Sequence, residues 1–241
     1  MKKTVLITGI TGDIGSAIAL QFAGEGWNIL GQYHSSKEKA QELKAAIEGR
    51  GVKCSLLKAD FLSKTELAKF VNQLKKYEIH SLINNAGSIV AKKHFEELTL
   101  GHLTDTFTVN TFVPVLIATS LFAQMRKRKF GRVVNISSIA AKYGGSSYSI
   151  HYSCSKRALE GLTKTLAREG ARDNVLVNTI RPGVIDTQLH KKFPKDMKKR
   201  ISLIPMQRMG KPEDIAKMAF YLASDQNQFI TNETIAIAGG E

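Results

Sequence analysis

Tyr152 and Lys156 stand four residues apart, and the apolar spacing from Tyr152 to Arg172 predicts a long helix there. Side chains at that separation share one helix face. A phenol ordinarily titrates near ~10, too high for efficient proton exchange at neutral pH. A lysine cation about 4 Å away, at an effective dielectric of ~20, contributes roughly 4 kcal/mol, or about three pKa units. The pair is therefore expected to bring the phenol near neutrality, where it can act as a general acid. Tyr and Lys at this spacing also occur on ordinary helices, so further residues must define the site.

A second group supplies a different chemistry. Gly9, Gly12 and Gly15, interleaved with Ile10, Thr11, Asp13 and Ile14, follow the apolar run Thr4 to Thr8 and open a helix marked by Ala17, Ile18 and Phe22. Glycine lets a backbone turn tightly and approach a pyrophosphate, which a helix N-terminus then attracts. The plain alternative is a tight strand-to-helix turn.

The elements that must position these residues alternate along the chain. Strands are predicted at Thr4 to Thr8, Trp27 to Tyr33, Lys53 to Lys58, Ser81 to Asn84, Arg132 to Ser137, Val175 to Ile180 and Thr234 to Ile237. Helices are predicted at Lys37 to Arg50, Thr65 to Lys75, Glu97 to Met125, Tyr152 to Arg172 and Pro212 to Ala223. Such alternation implies one α/β domain over residues 1–241: a doubly wound, Rossmann-type parallel sheet of about seven strands with helices on both faces. Ligands of such sheets sit outside the carboxyl ends of the strands.

Four motifs occur in order: the glycine loop, Asn84-Asn85-Ala86-Gly87, Tyr152 to Lys156, and Arg181-Pro182-Gly183-Val184-Ile185-Asp186-Thr187. Over essentially the whole chain this pattern resembles the short-chain dehydrogenase/reductase family. The tail, IPMQRMGKPEDIAKMAFYLASD followed by ITNETIAIAGG, is closest to the 3-oxoacyl-(acyl-carrier-protein) reductases. The resemblance implies reduction of a ketone to a secondary alcohol. Tyr152 would give the proton, Lys156 would bind the nicotinamide ribose and lower the tyrosine pKa, and Ser138 would position the oxygen. Asn110 would order a water beside the lysine; a buried Asn kinking a long helix is the structural alternative. Ser137 competes with Ser138, since a strand pleat points the two in opposite directions. Asn85, Ala86, Gly87, Pro182, Gly183, Ile185 and Thr187 would line the cofactor. Enoyl reductases of the family would need Tyr at position 149, which is Ser149, so C=O rather than C=C is the expected target. The chain departs from the pattern at Asp13, usually Gly; at Gly12, often Arg or Lys in NADP enzymes; at Asn232, usually Gly; and at Ala238, usually Asp or Asn. A carboxylate at Asp13 would repel a pyrophosphate unless it points to solvent.

An NAD-specific site usually carries an acid after the second strand. Here the run is Gly31-Gln32-Tyr33-His34-Ser35-Ser36-Lys37, with none. NADP(H) is therefore favoured over NAD(H), with His34, Ser35, Ser36 and Lys37 able to bond a 2′-phosphate. By resemblance Asp60, with Phe61 beside it, binds the adenine ring; a capping Asp is the plain alternative.

Lys and Arg number 35 against 21 Asp and Glu, a net charge of +14. The cations cluster at Arg126-Lys127-Arg128-Lys129 and in HKKFPKDMKKR from His190 to Arg200. The first cluster also suits a helix C-terminus. The second falls in a segment, about 187–205, that the family resemblance makes a substrate lid. Arg128, Lys129 and Arg172 are candidate docking residues for acidic acyl carrier protein. No recognition motif accompanies the charge, so nucleic acid is not expected. Two cysteines, Cys54 and Cys154, and scattered histidines suggest no metal site; Cys154 is expected to pack in the core or an interface, and His151 to point away from the catalytic side of its helix. No apolar run reaches the ~18 residues of a membrane span, so a soluble cytoplasmic protein is expected, a tetramer or dimer by resemblance. A reductase of free ketones, sugars or alcohols is the alternative function, and a cofactor-binding sensor a third.

Overall fold

Val5, Leu6 and Ile7 are fully buried in the first strand, β1 (Thr4–Ile7), so this strand has no polar face. Such strands need cover on both sides, which only helices crossing over the sheet supply. The computed structural model, which describes residues 2–188 and 196–241, shows that arrangement. The strands are β1, β2 (Asn28–Tyr33), β3 (Cys54–Lys58), β4 (Ser81–Asn84), β5 (Gly131–Ile136), β6 (Val175–Pro182) and β7 (Thr234–Ile237). They form one parallel sheet in the order β3-β2-β1-β4-β5-β6-β7. The order reverses between β1 and β4, and a crevice opens at their carboxyl ends.

The helices are α1 (Asp13–Gly24), α2 (Lys37–Glu48), α3 (Lys64–Leu74), α4 (Leu100–Phe107), α5 (Val113–Arg128), α6 (Ala140–Tyr143), α7 (Ile150–Gly170), α8 (Met197–Ser202) and α9 (Pro212–Ala223). One face of the sheet is closed by α1 and α9, with Phe22 edge-on to Trp27 at 5.4 Å and to Phe220 at 5.0 Å. The other is closed by α3, α5 and α7 through Phe70, Leu121, Met125 and Leu166.

The single helix expected over Glu97 to Met125 is divided. A π-helical turn, Thr108–Phe112, joins α4 to α5, and Pro114 lies in the first turn of α5. Proline has no N–H, so the regular i to i−4 ladder cannot run through it, and the wider turn takes up the mismatch. The continuous stretch Leu100–Arg128 is long and apolar enough by length and composition to cross a membrane, contrary to the expectation of no such run; 44% of its most apolar 18-residue window is buried inside the fold. The short helices α6 and α8 were not foreseen in the sequence.

A buried ion pair ties α7 to β6. Arg181 donates twice to Glu160, at 2.6 Å each, and Ser137 donates to the same carboxylate at 2.8 Å. Burial pushes the Glu160 carboxyl up, but the bonds from Arg181 and Ser137 outweigh it and hold it below the usual range. Removing one partner of a buried pair strands the other. Glu160→Ala is expected to cost about 3 kcal/mol in urea unfolding, with Glu160→Gln losing less.

Candidate active site

Gly9 adopts φ +64, a region that favours glycine, and a Cβ there would lie 2.9 Å from the Ala86 Cα. At Gly15 a Cβ would run into the Gly9 carbonyl oxygen and reach 2.7 Å from Asn85 Nδ2. These two glycines leave the loop bare and let it touch the segment after β4. That segment holds it in turn. The Asn85 amide donates to the Thr8 and Gly9 carbonyls at 2.9 and 3.1 Å, while Thr8 Oγ1 accepts from the Asn85 and Ala86 N–H groups at 3.0 Å. Gln32, buried in β2, accepts from the Gly9 N–H at 2.9 Å and donates to the Ala59 carbonyl. Sequence reasoning missed Gln32 as a support; a buried-strand polar residue inside NILGQY was its only signal. Ile10 packs over Gly31, where a Cβ would meet it.

On the opposite wall Lys156 is 3% exposed, and its Nζ donates to the Ile136 carbonyl at 2.7 Å. Nζ lies 5.8 Å from the centre of the Tyr152 ring. Burial lowers the ammonium to about 8. Burial also raises the Tyr152 phenol, and its bond with Ser138 offsets this only in part. The expectation of a phenol brought near neutrality is thus overturned for the chain by itself: desolvation acts on both groups, and the lysine turns first to a backbone carbonyl. The two serines differ in their partners. Ser137 is committed to Glu160, while Ser138 accepts from the Ala140 N–H at 3.1 Å and bonds Tyr152.

Asn110 lies in the π turn and is fully buried. Its amide donates to the Ser88 carbonyl and to Ser155 Oγ, and its oxygen accepts from the Ser88 N–H, each at 2.9 Å. The kink and the site are therefore one feature. A Cβ on Gly87 would lie 2.8 Å from Lys156 Nζ and 3.2 Å from Asn110 Oδ1, so Gly87 keeps open the space between them. Below these residues a buried polar ladder runs Asn84, Asn135, Thr163, Thr179.

The remaining predicted residues sort by position. Gly183 passes Ala238 so closely that a Cβ would lie 2.7 Å from its Cα, and the Pro182 carbonyl accepts from the Ile139 N–H. Ile185 is buried and bridges Gly210, and Thr187 is half-buried at the crevice edge. Asp60 caps its own turn by accepting from the Leu62 N–H at 2.9 Å, and its other oxygen is 3.7 Å from His34 Nε2. Phe61 is buried against Phe70, so its ring belongs to the core and not to the cleft. Ser35 is exposed beside His34. Asn232, where the family has Gly, takes φ +67, a conformation Asn tolerates.

The basic cluster is less free than its sequence suggests. Arg128 donates inward to the Ile79 carbonyl, and Lys129 and Arg126 both bond Asp173 at 2.5 Å. Arg172 is exposed. Most of the 190–200 run and residues 189–195 of the expected lid lie outside the described residues; α8 and the exposed Leu203 and Met206 follow them. Cys154 is exposed on α7 and not part of the core, whereas His151 is buried.

This fold, with a bare glycine loop at the β1–β4 crevice and a Ser-Tyr-Lys wall opposite, is that of an oxidoreductase of the short-chain dehydrogenase/reductase family, to which the chain belongs. A family model described as Enoyl-(Acyl carrier protein) reductase matches residues 9–241. A 3-oxoacyl-(acyl-carrier-protein) reductase of Staphylococcus epidermidis is 32% identical, covering 100% of this chain and 99% of its own. An acetoacetyl-CoA reductase of Allochromatium vinosum is also 32% identical, covering 100% and 98%. The crystal structure of a 3-oxoacyl (acyl-carrier-protein) reductase from Agrobacterium tumefaciens C58 with NADP bound matches with a TM-score of 0.90 at 29% identity, covering 99% and 94%.

Burial of Lys156 has a measurable cost. Below pH 8 folded and unfolded chains both hold the proton, and burying the charge opposes folding. Between about 8 and 10.5 only the unfolded chain holds it, so this group makes stability rise with pH across that window. Lys156→Met is expected to stabilise the chain in urea by at most about 3 kcal/mol at pH 7, the gain shrinking toward pH 10.

Proposed function

We propose that the protein reduces the ketone of a 3-oxoacyl thioester on acyl carrier protein to the 3-hydroxyacyl thioester, with NADPH, in cytoplasmic fatty-acid synthesis. The observation that carries this reading is the Ser138, Tyr152 and Lys156 group facing the crevice at the strand ends. The relatives' names supply the thioester class. The family model's description mentions enoyl substrates, but Ser149 stands where the wider tyrosine spacing would need a phenol.

The residues fit a nicotinamide dinucleotide. Gly9 and Gly15 leave a cradle that any Cβ would fill, at the N-terminus of α1. His34, Ser35, Ser36 and Lys37 follow β2 with no carboxylate among them, which suits a 2′-phosphate. Asn85, Ala86 and Gly87 would face the middle of the cofactor, and Pro182, Gly183, Ile185 and Thr187 its nicotinamide end. Bound there, NADPH supplies a hydride to the carbonyl carbon.

The chain's own groups handle the oxygen. Ser138 donates a hydrogen bond that fixes the carbonyl oxygen and steadies the charge growing on it. Burial keeps Tyr152 protonated at neutral pH, so it arrives as the acid and transfers its proton to that oxygen. The phenolate left behind is stabilised by the Lys156 ammonium, which at about 8 still carries its charge at pH 7. Asn110 holds the Ser88 backbone against the lysine and supports a water-borne return of the proton. Tyr152→Phe is expected to lower turnover at least a thousandfold and leave NADPH affinity unchanged, measured by nucleotide fluorescence; unaltered turnover would exclude this mechanism.

Of the docking residues, Arg172 is exposed and Lys129, though it pairs with Asp173, keeps its charge at the surface, so these two would meet an acidic carrier. Arg128 is withdrawn from them by its inward bond. Exposed Phe112, at the end of the π turn, and Leu116 on α5 offer the surface for a homotetramer or dimer. The rate of NADPH oxidation with acetoacetyl-acyl carrier protein is expected to exceed that with the same acyl group on a small thiol, and the difference to shrink as salt rises. Equal rates on both at every salt concentration would assign the site to free ketones.

A further inference from the structure

Asp13 replaces the glycine usual for the family at the first position of α1. A carboxylate there shares the positive helix end with any bound pyrophosphate. It points neither into the loop nor simply to solvent. One oxygen accepts from the Gln188 backbone N–H at 2.7 Å, a bond between residues 175 positions apart. The other lies 3.6 Å from the ammonium of Lys39 on α2. Three segments therefore converge on one side chain: the helix of the glycine loop, the helix after the β2 turn, and the strip after β6 that carries Thr187. The Gln188 bond lies at the surface, with the Asp13 side chain 26% exposed, and Lys39, at 48%, is screened more.

In the reading given above, on which this inference rests, those segments serve the pyrophosphate, the 2′-phosphate and the nicotinamide end of one dinucleotide. We propose that Asp13 is a positioning residue that clips these three segments together and slows release of the cofactor. Any departure that spreads the crevice must break the Gln188 and Lys39 contacts first. A glycine or alanine at this position offers neither contact. The clip also explains how an acid is tolerated here: both oxygens are turned onto donors away from the loop amides.

Two variants separate the clip from mere charge removal. Asp13→Ala loses both contacts. Asp13→Asn keeps an oxygen that accepts from Gln188 and loses only the ion pair. NADPH dissociation is read by displacement in stopped-flow fluorescence, with urea unfolding confirming that each variant is folded. Asp13→Ala is expected to release NADPH about tenfold faster, the loss typical of a hydrogen bond to a charged group, and Asp13→Asn no more than about threefold faster. The clip is refuted if Asp13→Ala releases NADPH at the wild-type rate or more slowly, or if Asp13→Asn matches Asp13→Ala. Failure of the wild type to bind either nicotinamide nucleotide would instead overturn the functional reading itself, and the clip with it.

Discussion

The contact between Gly9 and Ala86 is the constraint on which the site depends. It joins the loops that leave β1 and β4, the two strands at which the sheet order reverses. Only a residue without a Cβ can hold φ +64 there and let the second backbone come so near. Thr8, Asn85 and Gln32 then satisfy the polar groups that this approach exposes. The result is a loop held from behind, with the Gly9 and Ile10 N–H groups both bonded to Gln32. Rigid support of this kind is what precise positioning requires.

The opposite wall stores free energy instead of releasing it. Lys156 is buried and Tyr152 half-buried, and burial opposes the charged form of each. The chain tolerates them because neighbouring contacts are strong: Glu160 with Arg181 and Ser137, and the Asn84 to Thr179 ladder, tie α7 to β4, β5 and β6. A wall so built presents a neutral phenol and a charged amine at pH 7. That is the pairing a proton donor needs before a reaction, not after it. The sequence estimate erred because it treated the ammonium as an isolated charge beside the ring and ignored the Ile136 carbonyl that claims it.

Much of the architecture could be read from the chain. Apolar runs and helical spacing located all seven strands to within a residue or two, because strands buried on both faces allow few alternatives. The glycine positions and the Tyr152 to Lys156 interval were equally legible, since both arise from local geometry. What was not legible depends on tertiary partners. The bond that commits Ser137 to Glu160 spans some twenty residues. The inward turn of Arg128, the support from Gln32 and the burial of Phe61 all follow from elements distant in sequence. The same is true of Asp13, whose partner is at the far end of the sheet.

The π turn at Thr108–Phe112 carries a consequence for how such a chain can change over time. A wide turn amounts to one residue more than a regular helix would use. Each residue advances a helix by about 100°. Losing a residue within the turn would let the ladder close into a regular helix, but losing one elsewhere between Leu100 and Arg128 would swing every side chain on one flank around the axis. Asn110 would leave Ser155, or Leu121 and Met125 would leave the core. Outside the turn the length of this stretch is fixed by two demands at once, the Asn110–Ser155 contact on one side and the core around Leu121 and Met125 on the other.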